Sequence, residues 1–183
     1  AHPARSRLTV PRPLRLALVI LAALVLLTLA ALGASAALDR PARIMMVSST
    51  VDAPKAEVWA VLTDFDHYDE WNPVFTSASG EPVVGSSLDL ELTLPGHAPE
   101  ELDAEVLIVR GNRKLRWQDR LVLPGVRDWE YEFVIQPVEP GRVVVVQVLH
   151  AEGLLAPFVD EEAAREALAL IGEALAERLA AAR

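Results

Sequence analysis

Residues 51–65 read VDAPKAEVWAVLTDF and contain the change from strand to helix on which the fold depends. The β-rich residues 44–51 come first, and Pro54 suits a first helical turn because its missing N–H would be unpaired there anyway. Apolar residues then recur at helical spacing from Val58 to Leu62, which predicts an amphipathic helix of about two and a half turns. Residues 64–73 predict a second short helix that ends at Asn-Pro, since the residue before proline disfavours the α conformation.

Alternating apolar and polar residues predict a set of antiparallel strands in the middle of the chain. The predicted strands are residues 87–94, 102–109, 114–123, 127–135 and 142–153. Turn residues such as Pro-Gly and Gly-Asn separate them, and the alternation indicates one buried and one wet face. The inward faces carry Leu90 and Leu92, then Leu115, Trp117, Asp119 and Leu121, then Trp129, Tyr131, Phe133 and Ile135, and finally Gln147.

The last predicted element is a long helix over residues 160–183. Its apolar residues step by three or four positions and form one stripe. The stripe consists of Ala164, Leu168, Ile171, Leu175 and Leu179. One such stripe is too narrow to cover all of the predicted apolar sheet surface. The sheet therefore either curls and packs solidly or leaves an interior cavity for a ligand.

These segments resemble a known group of proteins. Residues 51–65, with Tyr68, Trp71, Asn72 and Pro73, resemble the opening of the START-like (SRPBCC) superfamily, and most closely its bacterial polyketide cyclase/dehydrase-like branch. Residues 114–117 (KLRW) and 153–155 (GLL) resemble later landmarks of that branch. The resemblance covers about residues 44–180. It implies an α+β helix-grip fold, in which a curved antiparallel sheet wraps a long C-terminal helix around a deep apolar cavity.

The chain departs from that resemblance at the end of its last strand. Relatives often have Glu-x-Phe-x-Gly there, whereas residues 149–153 read LHAEG. Leu149 and Ala151 replace the acid and the aromatic residue. The change predicts a less polar cavity mouth and weakens the transfer of any catalytic role to this strand.

The N-terminal residues predict a membrane anchor. Residues 1–15 contain four arginines and no acid, and residues 16–38 carry no charge. A helix rises about 1.5 Å per residue, so residues 16–38 are long enough to span a bilayer core of roughly 30 Å. The arginines favour a cytoplasmic N-terminus, which predicts a single-pass membrane protein with an extracytoplasmic domain over residues 44–183, after a linker at 39–43. A cleaved signal peptide stays open, because Ala34-Ser35-Ala36 fits a cleavage site.

Composition and motifs exclude several classes of function. The net charge is −9, and because residues 1–15 contribute +4, the remainder carries −13, which disfavours nucleic acid as a partner. The absence of cysteine excludes disulfides and thiolate chemistry. The acidic cluster at 64–70 lacks the glycine and the other ligands of an EF-hand, and neither a phosphate loop nor a nucleophile elbow is present. We predict no metal and no cofactor.

Ten residues are predicted to line the cavity and contact a ligand. They are Leu90, Leu92, Trp117, Asp119, Trp129, Tyr131, Phe133, Gln147, Leu168 and Ile171. A buried carboxylate is costly unless it is paired, so Asp119 is either a functional acid or a structural partner of Arg120 or Arg127. Tyr131 and Gln147 could orient a ligand or meet a backbone group. Asp119 and Tyr131 are the only catalytic candidates, and they form no paired acid–base constellation.

Three functions are compatible with this pattern. The first is a membrane-tethered binding or carrier domain for a hydrophobic small molecule such as a lipid, isoprenoid, quinone or polyketide-like compound. The second is a cyclase or dehydratase that uses acid–base residues in the cavity. The third is an accessory subunit that contacts partner proteins in a membrane complex. The predicted anchor favours the first, because apolar ligands concentrate in the bilayer.

Overall fold

The computed structural model describes Leu21, residues 23–27, and residues 42–183 apart from 121–123. The chain divides into two units, Ala1–Asp39 and Arg40–Arg183. The basic segment 1–15, most of the predicted anchor 16–38, residues 39–41 of the linker and Leu121 lie outside the described residues. Leu21 and residues 23–27 are helical. Among the described residues, no helix has the length and apolar character to cross a membrane.

The second unit is a seven-stranded antiparallel sheet with helices after its first strand and after its last strand. The strands are β1 (Ala42–Val51), β2 (Phe75–Gly80), β3 (Ser87–Leu92), β4 (Glu100–Arg110), β5 (Lys114–Arg120), β6 (Asp128–Glu139) and β7 (Arg142–Glu152). The helices are α1 (Lys55–Thr63), α2 (Glu161–Ala181) and two 3-10 helices, Phe65–Glu70 and Ala156–Phe158. The strand order is β1-β7-β6-β5-β4-β3-β2, and α2 packs chiefly over β1. The α+β helix-grip architecture is therefore confirmed.

Several boundaries differ from the sequence prediction, and one strand was missed. Strand β2 was not predicted because its sequence, FTSASG, has small polar residues and no apolar alternation. Asn72 leads into it, since its side-chain Oδ1 accepts hydrogen bonds from the backbone N–H of Val74 (3.0 Å) and Phe75 (2.9 Å). Strand β3 ends at Leu92 rather than 94. Strand β6 extends to Glu139 across a register shift that accommodates Pro137.

Helix α2 lies close to the sheet along the predicted apolar stripe. All five stripe residues are buried, as predicted. Asp160 caps the helix by accepting a hydrogen bond from the N–H of Ala163 at 3.0 Å. A side chain at Gly172 would overlap the hydroxyl of Ser49 on β1, so glycine permits this approach. Gln147 on β7 donates its Nε2 hydrogen to the Leu168 carbonyl at 2.8 Å. These contacts hold the helix against β1 and β7.

Aromatic side chains fill one half of the space between sheet and helices. Trp117 is fully buried, and its ring centroid lies 5.5 Å from that of Phe75 and 5.4 Å from that of Phe133. The first 3-10 helix adds Phe65 and Tyr68, and the Tyr68 hydroxyl donates to the Leu62 carbonyl at 2.7 Å. This half of the described interior is a packed core, and a cavity is present towards the first turns of α2.

The outer sheet face carries an ion-pair cluster around Glu132. Glu132 accepts hydrogen bonds from Lys114 Nζ (2.8 Å) and Arg116 Nε (2.5 Å). Burial raises the pKa of the Glu132 carboxyl, but the hydrogen bonds from Lys114 and Arg116 outweigh it and hold the pKa below the ordinary 4.5. A lowered folded-state pKa contributes stability above pH 4.5 that is lost as the pH falls through the folded-state value.

Glu132→Gln is therefore expected to lower the free energy of unfolding at pH 7 by about 1–2 kcal/mol, as for partly screened hydrogen bonds between charged groups. The difference from the wild type should shrink as the pH falls below 4.5. Urea titrations at several pH values measure it, and Glu130→Gln, at a more exposed carboxylate of the same cluster, is the control. A difference that stays constant with pH would contradict the assignment.

A candidate ligand cavity

A cavity of about 260 Å³ lies between the sheet and the first half of α2. Its inner wall consists of buried, mostly apolar side chains: Val74, Leu92, Tyr131, Leu149, Ala164, Ala167, Leu168 and Ile171. Its outer lining includes the exposed residues His97, Ala98, Glu100, Phe158 and Asp160. The cavity therefore opens between the β3–β4 loop and the segment that joins β7 to α2. This segment and the β3–β4 loop are called the mouth below.

Small residues on α2 create the space. Ala164 and Ala167 face the cavity from the first two turns of the helix. Leu175 and Leu179 occupy the equivalent stripe in the later turns, where they are buried in the core. A side chain that ends at Cβ cannot span the gap between helix and sheet that leucine fills further along. Ala164 and Ala167 thus leave the void at the N-terminal half of α2, where Leu168 and Ile171 complete the wall.

Tyr131 supplies a polar group in the apolar wall. Its ring contacts the solid core, with its centroid 5.2 Å from that of Phe75. Its hydroxyl has no hydrogen-bond partner within the described part of the chain. Burial, with a smaller contribution from the Asp119 carboxylate, raises the pKa of the Tyr131 hydroxyl. The group stays protonated at neutral pH and can donate a hydrogen bond to a ligand.

A charged cluster lies behind the cavity wall. Arg127, in the loop before β6, donates from Nε (2.7 Å) and Nη2 (2.6 Å) to Oδ2 of Asp119. Its Nη1 donates to Glu100, and its guanidinium carbon lies 4.9 Å from the ring centre of Trp129. Burial raises the pKa of Asp119, and Glu100 and Asp103 add to the rise, while Arg127 opposes it. Arg127 therefore fixes Glu100 and Trp129, which both line the cavity.

The comparisons with known proteins agree with this architecture. The family described as polyketide cyclase/dehydrase and lipid transport matches residues 44–182. The chain belongs to that family. No curated protein matches the sequence.

Solved structures of several proteins share the fold of this member of the polyketide cyclase/dehydrase and lipid transport family. A START superfamily protein from Mycobacterium smegmatis is 20% identical, with a TM-score of 0.63 over 76% of this chain and 99% of that one. The ZhuI aromatase/cyclase from Streptomyces sp. R1128 is 20% identical (TM-score 0.56, 78% and 97%). Norcoclaurine synthase from Thalictrum flavum is 15% identical (TM-score 0.61, 80% and 91%). At these identities the likeness shows the fold alone.

Five of the ten predicted site residues of this family member line the cavity, and five do not. Leu92, Trp129, Tyr131, Leu168 and Ile171 lie in its wall. Leu90, Trp117 and Phe133 face inward but are packed in the core away from it. Asp119 is paired with Arg127, one of the two partners considered from the sequence. Gln147 meets the backbone of α2 instead of the cavity. Contact of any of these residues with a ligand stays a prediction.

The residues that form the mouth were not predicted from the sequence. His97, Ala98, Glu100, Phe158 and Val159 lie in loops or at strand ends, where no periodicity assigns a direction to the side chain. Leu149, noted as a departure from relatives of the polyketide cyclase/dehydrase group, lies in the cavity wall. An apolar residue at that position is consistent with a less polar lining. Ala164 and Ala167 of α2 are the sequence signal from which the position of the cavity could have been predicted.

Proposed function

We propose that this chain binds a small, uncharged apolar molecule in the cavity while tethered to a membrane. The observation that carries the proposal is an apolar cavity with one unpartnered hydroxyl donor, Tyr131, in its wall. Ligand sites in proteins are typically such concave, mostly apolar spaces with few polar groups. The family match, to polyketide cyclases, dehydrases and lipid transport proteins, is compatible with this proposal.

The size and polarity of the cavity narrow the ligand class. The volume of about 260 Å³ is slightly below the roughly 300–1,000 Å³ of typical small-molecule sites. It holds one ring system or one chain, whereas the rest of a larger molecule would extend through the mouth. Glu100 and Asp160 at the mouth disfavour an anionic head. A carbonyl or ether oxygen would accept the hydrogen bond of Tyr131, so a quinone, ketone or ester with an apolar body suits the site.

The geometry favours binding over catalysis. Acid–base catalysis needs a free acid or base close to the reacting atoms. The Asp119 carboxylate is held by two hydrogen bonds from Arg127, and Glu100 accepts a third. In the wall itself the Tyr131 hydroxyl and the Trp129 indole N–H are donors, and donors position a carbonyl without supplying the base that a cyclase or dehydratase reaction requires. His97 and Asp160 lie at the exposed mouth, 3.9 Å from each other.

The membrane tether rests on the apolar character of residues 16–38. The described part of this segment is helical, and its large apolar side chains are about half to two-thirds exposed: Leu21, Leu24, Val25, Leu26 and Leu27. Exposed contiguous apolar surface of this kind marks a contact with lipid or protein. We infer a single-pass protein with a cytoplasmic N-terminus and an extracytoplasmic domain. Protease protection in sealed membrane vesicles tests that orientation.

Filling the cavity should abolish ligand binding. Ala167→Phe places a ring in the void, and the fraction of protein that carries a co-purified apolar molecule should fall about 10-fold or more, equivalent to at least 1.4 kcal/mol of binding free energy. Native mass spectrometry of the detergent-solubilised full chain, followed by lipid extraction, measures that fraction. The control is Ala180→Phe, at an exposed position of α2. A wild-type cavity that stays empty after purification and exposure to quinones and lipids would overturn the proposal.

A further inference from the structure

Three large apolar side chains project from the mouth of the cavity into solvent. Leu154, Leu155 and Phe158 are 52%, 38% and 81% exposed, and Phe158 also lines the cavity. These three residues are called the rim. Isolated exposed leucines are ordinary on protein surfaces, whereas an apolar cluster beside the opening of an apolar cavity indicates an interaction site.

Backbone contacts hold the rim in this exposed position. The N–H groups of Leu154 and Leu155 donate to the carbonyls of Gly125 and Val126, each at 3.0 Å. Gly153 has φ +101°, and a Cβ there would lie 2.7 Å from the Val126 carbonyl oxygen, so only glycine allows this close approach. Ala156, in the middle of the segment, is fully buried. The outward direction of the rim is therefore built into the fold.

The start of the domain lies at the same end of the sheet as the rim. Ala42, the first residue of β1, pairs with Glu152 of β7, two residues before Leu154. Only residues 39–41 separate Ala42 from the predicted membrane segment 16–38, and extended chain spans at most about 3.6 Å per residue. The covalent connection between residue 38 and Ala42 is therefore at most roughly 15 Å long.

We propose that the rim docks on the lipid bilayer, so that the ligand passes between membrane and cavity without crossing water. This inference rests on the proposed function, because it takes residues 16–38 as the tether and the cavity as the ligand site. Burial of Leu154, Leu155 and Phe158 in the interface supplies apolar contact. Glu152, Asp160 and Glu162 flank the rim in sequence and are exposed, while Arg43 at this end of the sheet is paired with Glu161. These exposed acids favour a zwitterionic rather than an anionic lipid surface.

The absence of cysteine in the chain allows a direct test. Leu154→Cys and Phe158→Cys are labelled with an environment-sensitive fluorophore in the full chain, reconstituted in phosphatidylcholine vesicles that contain nitroxide-labelled phosphatidylcholine as quencher. The matched control is Val138→Cys, an exposed valine (62%) near the opposite end of the sheet. Quenching at 154 and 158 should be several-fold stronger than at 138. Replacement of half of the lipid by phosphatidylglycerol should reduce the quenching at the rim.

The outcomes separate this inference from the proposed function. If the chain floats with the vesicles but quenching is equal at all three positions, docking of the rim is overturned. Quenching at the rim that increases with phosphatidylglycerol would also overturn the inference, because it would indicate binding to anionic headgroups. A chain that does not float with vesicles overturns both the tether and the docking. Ligand binding is read separately, by the native mass spectrometry of Ala167→Phe.

Discussion

Arg127→Met is expected to lower the free energy of unfolding by about 3–5 kcal/mol, the usual cost of leaving one partner of a buried ion pair alone. Asp119 is 3% exposed and receives two hydrogen bonds from the Arg127 guanidinium. Methionine retains much of the apolar stem but provides no donor. The Asp119 carboxylate would then be buried without a cation, and Glu100 and Trp129 would lose the group that positions them.

The loss should depend on pH in a defined direction. Burial already raises the pKa of Asp119 above 3.8, and removal of Arg127 raises it further. A raised folded-state pKa means that stability is fully present below pH 3.8 and is lost as the pH rises through the folded value. The deficit of Arg127→Met should therefore shrink as the pH is lowered from 7 towards 3.8. Urea titrations of the full chain in a mild detergent, followed by near-UV circular dichroism, measure it.

Two variants serve as controls for this ion pair. Asp119→Leu combined with Arg127→Met removes both charges and should recover most of the loss, since apolar replacement of a whole buried pair is often neutral. Arg142→Met removes an exposed arginine that pairs with Asp52 and Glu139, and it should cost less than about 1 kcal/mol. A double variant as unstable as Arg127→Met alone would show that the cost arises from packing and not from the unpaired carboxylate.

Periodicity predicted the faces of strands and helices but not depth along them. The alternation of residues 87–94 correctly placed Leu90 and Leu92 on the buried face, yet Leu92 and Leu94 line the cavity and Leu90 does not. The same holds for β6, where Tyr131 lines the cavity while Phe133 is packed against Trp117. Side-chain parity assigns one of two sheet faces. It carries no information on which end of a curved sheet the opposing helix leaves uncovered.

Features that depend on loops were beyond periodic reasoning. Pairing of Asp119 with Arg127 was one of the two pairings considered from the sequence. The contact of Arg127 with Glu100 was not, because the two residues are 27 positions apart and the turn before β6 brings them together. The rim likewise owes its exposure to hydrogen bonds with residues 125 and 126, which no local pattern encodes. Strand β2 was not predicted because the sequence FTSASG does not favour a strand by itself. Its extended conformation depends on pairing with β3.

Trp117→Ala is expected to lower the free energy of unfolding by about 3–5 kcal/mol, the typical cost of deleting a buried aromatic ring. Trp117 has no exposed surface, and its ring centroid lies within 6.1 Å of those of Phe65, Phe75, Tyr131 and Phe133. The cavity left by alanine cannot close without moving two strands and the first 3-10 helix. Urea titration of the full chain measures the loss.

A milder pair of variants separates the core from the ligand site. Trp117→Phe keeps an aromatic ring and removes an indole N–H that is buried without a partner among the described residues, so it should cost less than the alanine variant and leave the bound apolar molecule in place. Trp129→Phe changes a part-exposed ring in the cavity wall and should reduce the bound fraction with little effect on stability. Both fractions are read by native mass spectrometry.

The sequence alone predicted ligand contact for both tryptophans, whereas the packing assigns Trp117 to the core. Loss of the ligand in Trp117→Phe at unchanged stability would contradict that assignment, because Trp117 does not line the cavity and contacts it only through the ring of Tyr131.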